Sequence, residues 1–365
     1  MRVLIAMNAL KGTLSSVAAS MVVARTWRLA RPLDSITVLP MADGGDGTLA
    51  AAVAAGMGTL SQPVTVTGPD GTPTQVSWVE LISGDILVEL AASSGLALMP
   101  QPDAMGASTR GLGETIAAAC AHRPERNYTL FIAVGGSAST DAGLGALRAL
   151  GLRTLNAAGV PVTEGAAGLA DIALIDTTEL AAPPSRVIIL TDVRSPLLGE
   201  HGALRFAAQK GASSDDLPRI SKGLQNIVDV LRADGHTIAR TPGAGAAGGT
   251  AFGFGALWNA DIMDTHDFFF RTFSLDSIVA LHDLVITGEG VFDSTSLAGK
   301  STGRLLAAAE AGGTMAAVIA GRFTHHTDYA RVFEVPLADS EALAWAQRNP
   351  VEAVAGATKD LARKF

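Results

Sequence analysis

The sequence predicts an α/β protein of two domains: a doubly wound, flavodoxin-like parallel sheet with a second, mixed α/β domain inserted into it. Three observations carry this expectation. Short apolar runs alternate with alanine-rich helical segments, the pattern of parallel strands joined by helical crossovers. The chain has 365 residues, beyond the usual reach of one hydrophobic core. One stretch, Gln62 to Ala91, breaks the alternation with turn signals at Gly68–Gly71 and Gly84–Asp85, and reads as an antiparallel meander.

The strands expected, in order, are Arg2–Ala6, Ile36–Leu39, Leu130–Val134, Val187–Thr191, Asp283–Thr287, Met315–Ala320 and Phe333–Pro336. The first two and last three form the terminal domain, residues 1–60 with 275–365, and residues 61–274 form the inserted one. Most of these runs end in Gly, Asp or Asn. Ligands of open α/β sheets gather beyond the carboxyl ends of the strands, so the chemistry is expected in those loops.

Composition narrows the function classes. With 48% apolar and 17% charged residues the chain is too hydrophobic for disorder, yet no uninterrupted apolar stretch approaches the roughly 20 residues of a membrane span. The opening MRVLIAMNALKG has an apolar run too short for an export signal. A cytoplasmic protein is expected, and Cys120, the single cysteine, fits a reducing compartment as a buried small hydrophobe. A net charge of −8 without a basic stripe argues against nucleic acid as a partner. A small anionic ligand needs only local positive charge.

Five loops supply candidates. After the first strand come Asn8 and Lys11, followed by a helix over Leu14–Leu29; a lysine before a helix N-terminus suits a phosphate or carboxylate, and a solvated loop lysine is the alternative. The second strand runs into MADGGDGT, where Asp43 and Asp46 flank two glycines. Two such carboxylates suit Mg²⁺; an Asp-Gly turn with a helix cap would explain them equally. The third strand opens on Gly135, Gly136, Ser137 and Ser139, leading to a helix near Asp141, an anion cradle of amides and hydroxyls. Asp192 stands at the end of Val187–Thr191 as a base or metal ligand, because a carboxylate there needs a cation or donors, and QKGA supplies Lys210. Last, ITGEGVFDSTSLAGKS holds Gly288, Glu289, Asp293 and Lys300 before a helix starting near Thr302, where nucleotide phosphates can bind.

Two better-known motifs are set aside. Gly243, Gly245 and Gly248 satisfy G-x-G-x-x-G, but Pro242 precedes them and the strand before them is weak. STSLAGKS has Ser294 where a P-loop has its first glycine. The seven histidines show no metal-binding spacing, and no G-x-S-x-G elbow is present.

Taken together and in this order, NALKGTLSS, MADGGDGT, GGSASTDAG, TDVRSPLLG, AAQKGA, GAGAAGG and DLVITGEGVFDSTSLAGK resemble the motifs of the bacterial glycerate kinase family over nearly the whole chain. The resemblance implies phosphotransfer from ATP to glycerate, Mg²⁺, a cleft between two α/β domains, and 2-phosphoglycerate as product. It carries family residues at Lys11, Asp43, Ser137, Asp141, Asp192, Lys210, Glu289, Asp293 and Lys300. The chain departs from the family pattern at Asn8 (usually Asp), Ala9 (Ser), Asp46 (Glu), Thr140 (Asn) and Ser195 (Asn), so a carboxylate role does not transfer to position 8. The roles implied are Asp192 orienting or deprotonating the acceptor hydroxyl, Asp43 or Asp293 holding Mg²⁺, and Lys11 and Lys300 neutralising phosphate or carboxylate oxygens. A catalytically silent hydroxy-acid-binding relative is the first alternative, suggested by Asn8 and Thr140; a nucleotide-dependent oxidoreductase, resting on Gly243–Gly248, is the second.

Overall fold

The computed structural model describes residues 1–365 except Lys11, Ala298, Gly299 and residues 338–341, and except the side chains of Ala233, Asp234 and His236. Lys11, a candidate catalytic residue of the sequence reading, lies outside the described residues. In chain order the strands are β1 (Arg2–Met7), β2 (Ser35–Val38), β3 (Gly58–Leu60), β4 (Val64–Thr67), β5 (Pro73–Val76), β6 (Val79–Leu81), β7 (Ile86–Glu89) and β8 (Thr129–Ala133). There follow β9 (Arg153–Leu155), β10 (Leu174–Asp176), β11 (Arg186–Thr191), β12 (Asp261–Asp264), β13 (Leu284–Phe292), β14 (Met315–Phe323) and β15 (Val332–Pro336).

One compact unit comprises Met1–Asp43, Ala50–Met57 and His266–Phe365. Its five strands pair in parallel in the order β15-β14-β13-β1-β2. Counted within the unit from the β2 edge this is 2-1-3-4-5, the flavodoxin-like doubly wound order, which reverses between β1 and β13. Val3 to Met7 are completely buried, as a strand covered on both faces must be. Ser15 caps the helix Ser16–Ala30, its side chain accepting from the Ala18 amide, and that helix turns Ala19, Val23 and Trp27 into a core shared with Val354 and Leu361 of the C-terminal helix. The strand β13 runs five residues past its expected end at Thr287, so Gly288 and Glu289 belong to the sheet. A Cβ on Gly288 would fall 2.1 Å from the Ile319 oxygen, the close backbone approach that a strand glycine permits.

The second unit comprises Gly44–Leu49 and Gly58–Thr265, whereas the sequence places its limits at 61 and 274 with no contribution from before residue 61. Its six-stranded mixed sheet has the order β12-β11-β8-β7-β6-β3, with β7, β8, β11 and β12 parallel and β6 and β3 antiparallel at one edge. The expected meander divides. Strands β4 and β5 form a hairpin of their own, while β7, buried at all four positions, pairs with β8 as a central parallel strand. Leu112, Ile116 and Ala119 of the helix Arg110–His122 pack in its core, where Cys120 is buried and accepts from the Tyr128 hydroxyl.

The glycines of Gly243-x-Gly245-x-x-Gly248 serve packing. The helix Ala246–Trp258 is bent at its start, with Ala247, Gly248 and Gly249 all in the left-handed region. A Cβ on Gly248 would lie 2.3 Å from the Ser139 oxygen, and one on Gly245 2.1 Å from the Pro196 oxygen. The segment is wedged against the loop after β8, so the space its glycines leave is filled by backbone of this chain. Gly248→Ala should therefore lower stability by about 2–4 kcal/mol, adding overpacking to the left-handed conformation. Gly159→Ala, at positive φ but with nothing within 4 Å, should cost only about 1–2 kcal/mol. Thermal or urea unfolding of the pair checks the difference, and equal losses would show that the close approach at Gly248 carries no energy.

Candidate active site

In the second unit, two loops singled out separately in the sequence are joined. The Gly135 amide donates to the Gly44 oxygen at 2.8 Å. A Cβ on Gly135 would lie 2.6 Å from Gly45 Cα, and one on Gly44 2.5 Å from Thr265 Oγ1. The segment Gly44–Leu49 thus lies across the carboxyl end of β8, which only glycine permits at these positions. Glu89, the last residue of β7, fastens it: its carboxylate accepts from the Gly47 amide at 3.1 Å and the Leu49 amide at 2.9 Å. Burial pushes this carboxyl up to about 7 against the pull of those amides, and the Asp46 carboxylate pushes it the same way. Sequence reading passed over Glu89, although a carboxylate ending the apolar run ILVE obeys the same desolvation rule that singled out Asp192.

The loop after β8 is held from two sides. Asp141, 1% exposed, accepts from the amides of Thr109, Gly143 and Gly145 and from the Thr109 hydroxyl. The following helix starts at Leu144 instead of at Asp141 itself. Lys210 is also buried, and its ammonium donates to Ser137 Oγ at 2.7 Å and to the Ser139 oxygen at 2.6 Å. Burial lowers its pKa to about 7, against the opposing charge of Asp141. Asp192, exposed, follows β11 by one residue. Glu89 pairs with Ala133, and Ala133 with Leu190, so Glu89, the Gly135–Thr140 loop and Asp192 succeed one another along one sheet edge.

In the first unit, the residues meet where the strand order reverses. The Asn8 amide donates to the Gly288 oxygen at 2.9 Å, and its side-chain nitrogen to Thr302 Oγ1 at 3.1 Å. The buried Glu289 Oε1 has no hydrogen-bond partner among the described residues. Burial raises its pKa and Asp293 adds to the rise, while the hydroxyls of Thr302 and Ser296 and the Lys300 ammonium favour the anion. Asp293 Oδ1 accepts from the Thr295 amide and hydroxyl and from the Ser296 amide. The Thr295 hydroxyl, ahead of a small opposing effect of burial, holds it below the ordinary carboxylate range. Lys300 reaches Thr295 Oγ1 at 3.0 Å, just before the helix Ser301–Gly312, whose Ser301 hydroxyl meets His266 Nδ1.

Asp43 and Asp46 fall in different units. Among the described residues no three His, Cys, Asp or Glu side chains gather as a preformed metal cage needs. A hard cation that keeps waters and phosphate oxygens needs only one or two carboxylates; the orphaned Glu289 Oε1 and the ionised Asp293 beside Lys300 fit such a metal–phosphate group. Among the described residues no helix is long and apolar enough to cross a membrane.

Glu89 supplies a test of how the Gly44–Leu49 segment is held. Because its pKa is raised in the folded protein, the stability it contributes is full below its ordinary 4.5 and is lost as pH rises through about 7. Glu89→Gln cannot ionise and should flatten this decline in melting temperature between about pH 5 and pH 8; a slope unchanged from the parent would remove Glu89 as its source.

The profile of the glycerate kinase family matches residues 3–364. A Bacillus subtilis protein named glycerate kinase is 36% identical over 308 residues, 82% of this chain and 80% of the relative. An Escherichia coli protein named glycerate 2-kinase is 34% identical over 310 residues, with the same coverage of each. A crystal structure from Salmonella typhimurium LT2, of a protein provisionally called glycerate kinase 2, superposes with a TM-score of 0.82 at 30% identity, covering 100% of this chain and 98% of the other. The fold order, the loops at the strand ends and these matches agree, and the chain belongs to the glycerate kinase family.

Proposed function

We propose that the protein transfers the terminal phosphoryl group of ATP to the 2-hydroxyl of D-glycerate, giving 2-phosphoglycerate, with Mg²⁺ and in the cytoplasm. The observation that carries the reading is the sheet edge of the second unit, where Asp192 follows β11 next to the glycine- and serine-rich loop after β8. Phosphoryl transfer asks a protein mainly for positioning and charge neutralisation. The Gly135 and Gly136 backbone with the Ser137 hydroxyl would hold the substrate carboxylate, and Asp192 would accept the hydrogen bond, and then the proton, of the attacking hydroxyl. In the first unit, Lys300 and the helix after it offer a cation and amides to nucleotide phosphates, with Lys11 as a second cation and Asn8 and Gly288 shaping the floor. Glu289 and Asp293, with Asp43 and Asp46 as further candidates, would hold Mg²⁺, which when bound offsets phosphate charge. The 2-position of the product is supported by the name of the Escherichia coli relative alone. The oxidoreductase alternative loses its basis because the glycines it rests on are occupied by packing.

In a coupled assay, ATP consumption should require D-glycerate and stop with EDTA, and NMR of the product should place phosphate on carbon 2. Turnover untouched by complete removal of Mg²⁺ would overturn the metal role, phosphate on carbon 3 the product, and glycerate binding without turnover would leave the silent-binder reading standing.

Asp192→Asn keeps shape and loses the charged acceptor, so kcat should fall roughly 10²–10⁴-fold with ATP affinity little changed. Weakened metal and nucleotide binding, rescued by excess Mg²⁺, would make Asp192 a metal ligand instead. Near-normal kcat with a lower melting temperature would make it a structural cap.

A further inference from the structure

Lys210 is 3% exposed, yet it lies directly behind the loop that the proposed function gives to the substrate carboxylate. Its ammonium donates to Ser137 Oγ and to the Ser139 oxygen. A hydroxyl that accepts from an ammonium still has its own proton to give, and among the described residues the Ser137 proton meets no acceptor. Two neighbouring hydroxyls, Ser139 Oγ and Thr140 Oγ1, are fully buried and find no hydrogen-bond partner among the described residues. The titratable group that acts on Lys210 is Asp141, whose oxygens are already engaged by four donors. Buried donors of this kind are costly unless something accepts from them. The loop is therefore short of an acceptor, and a negatively charged oxygen would complete it.

We propose that Lys210 is a positioning residue for the acceptor substrate, acting through Ser137 by fixing that hydroxyl as a donor toward the substrate's carboxylate. This rests on the kinase reading above. Both contacts of the Lys210 ammonium are to the loop, so its effect on the substrate would pass through the Ser137 hydroxyl. A second consequence follows from its burial: the bound carboxylate favours the charged lysine, so glycerate binding above about pH 7 takes up a proton.

The test is a double-mutant cycle of Lys210→Met, which keeps length and loses charge, with Ser137→Ala. Each single variant should raise KM for D-glycerate about tenfold while leaving KM for ATP within about twofold, and the double variant should match either single variant instead of multiplying them. Lys210→Met also leaves the Ser139 oxygen without its donor, so the melting temperature should fall somewhat, and the split between the two KM values is the deciding readout. Multiplied effects, or a shift confined to KM for ATP, would overturn the proposal; the second result would assign the anionic oxygen to the nucleotide. Calorimetry of glycerate binding at about pH 8 in two buffers of different ionisation heat should show proton uptake by the parent protein and none by Lys210→Met. If Lys210→Met does not fold, the parent decides: absence of uptake there sinks the proposal. A parent that binds glycerate with uptake but does not turn it over would overturn the kinase reading and leave the Lys210 assignment standing.

Discussion

The missing side chain of Gly135 is the constraint on which the arrangement of loops in the second unit depends. The space a Cβ would fill is occupied by the backbone of Gly44 and Gly45, and the amide beside that space makes the hydrogen bond that joins the two segments. Any larger residue would separate the Gly44–Leu49 segment from β8, and Glu89 would then lose the amides that justify a carboxylate at the end of a buried strand. The glycines of the bent helix start act alike on the other side, where Gly248 admits the Ser139–Thr140 backbone. Close backbone approach, repeated on both sides, fixes a loop that has little side chain of its own with which to pack.

Charge is arranged with the same economy. Glu89 is pushed up and Lys210 down, each to about 7 and each mainly by burial. The two groups sit behind the loops, where they make hydrogen bonds to backbone or hydroxyl groups. Asp192 and Asp46 are exposed. Ionisable groups in the interior hold the loops in place, and the exposed ones lie on the water side of those loops.

The sequence made the fold and the loops legible because both are local signals. Apolar runs such as RVLIAM and MAAVIAGRF, and glycine–aspartate clusters at their ends, lie within a few residues of one another. What escaped was set by distant partners. Glu89 gains its meaning from amides 40 and 42 residues earlier, and Asp141 from Thr109, 32 residues back. Strand β12 reads DIMD, with charged ends and no apolar run, and exists because it pairs with β11. The expected strand stops at Thr287, ahead of Gly288 and Gly290; pairing with β14 carries β13 on to Phe292. Of the candidate residues, the sequence could name the types and the loops, but not which of them face inward, as Asp141 and Lys210 do.

The short excursion Gly44–Leu49 has one more consequence, for biogenesis. Because these six residues belong to the second unit while Met1–Asp43 and Ala50–Met57 belong to the first, the chain changes allegiance four times, where a simple insertion would need two. The hexapeptide leaves the ribosome well before β7 and β8 exist to receive it. Residues 58–265 cut out as a fragment would carry Glu89 into the interior without Gly47 or Leu49 to meet it. A transplant of the second unit would therefore have to carry residues 44–49 along with 58–265 to keep the partners of Glu89.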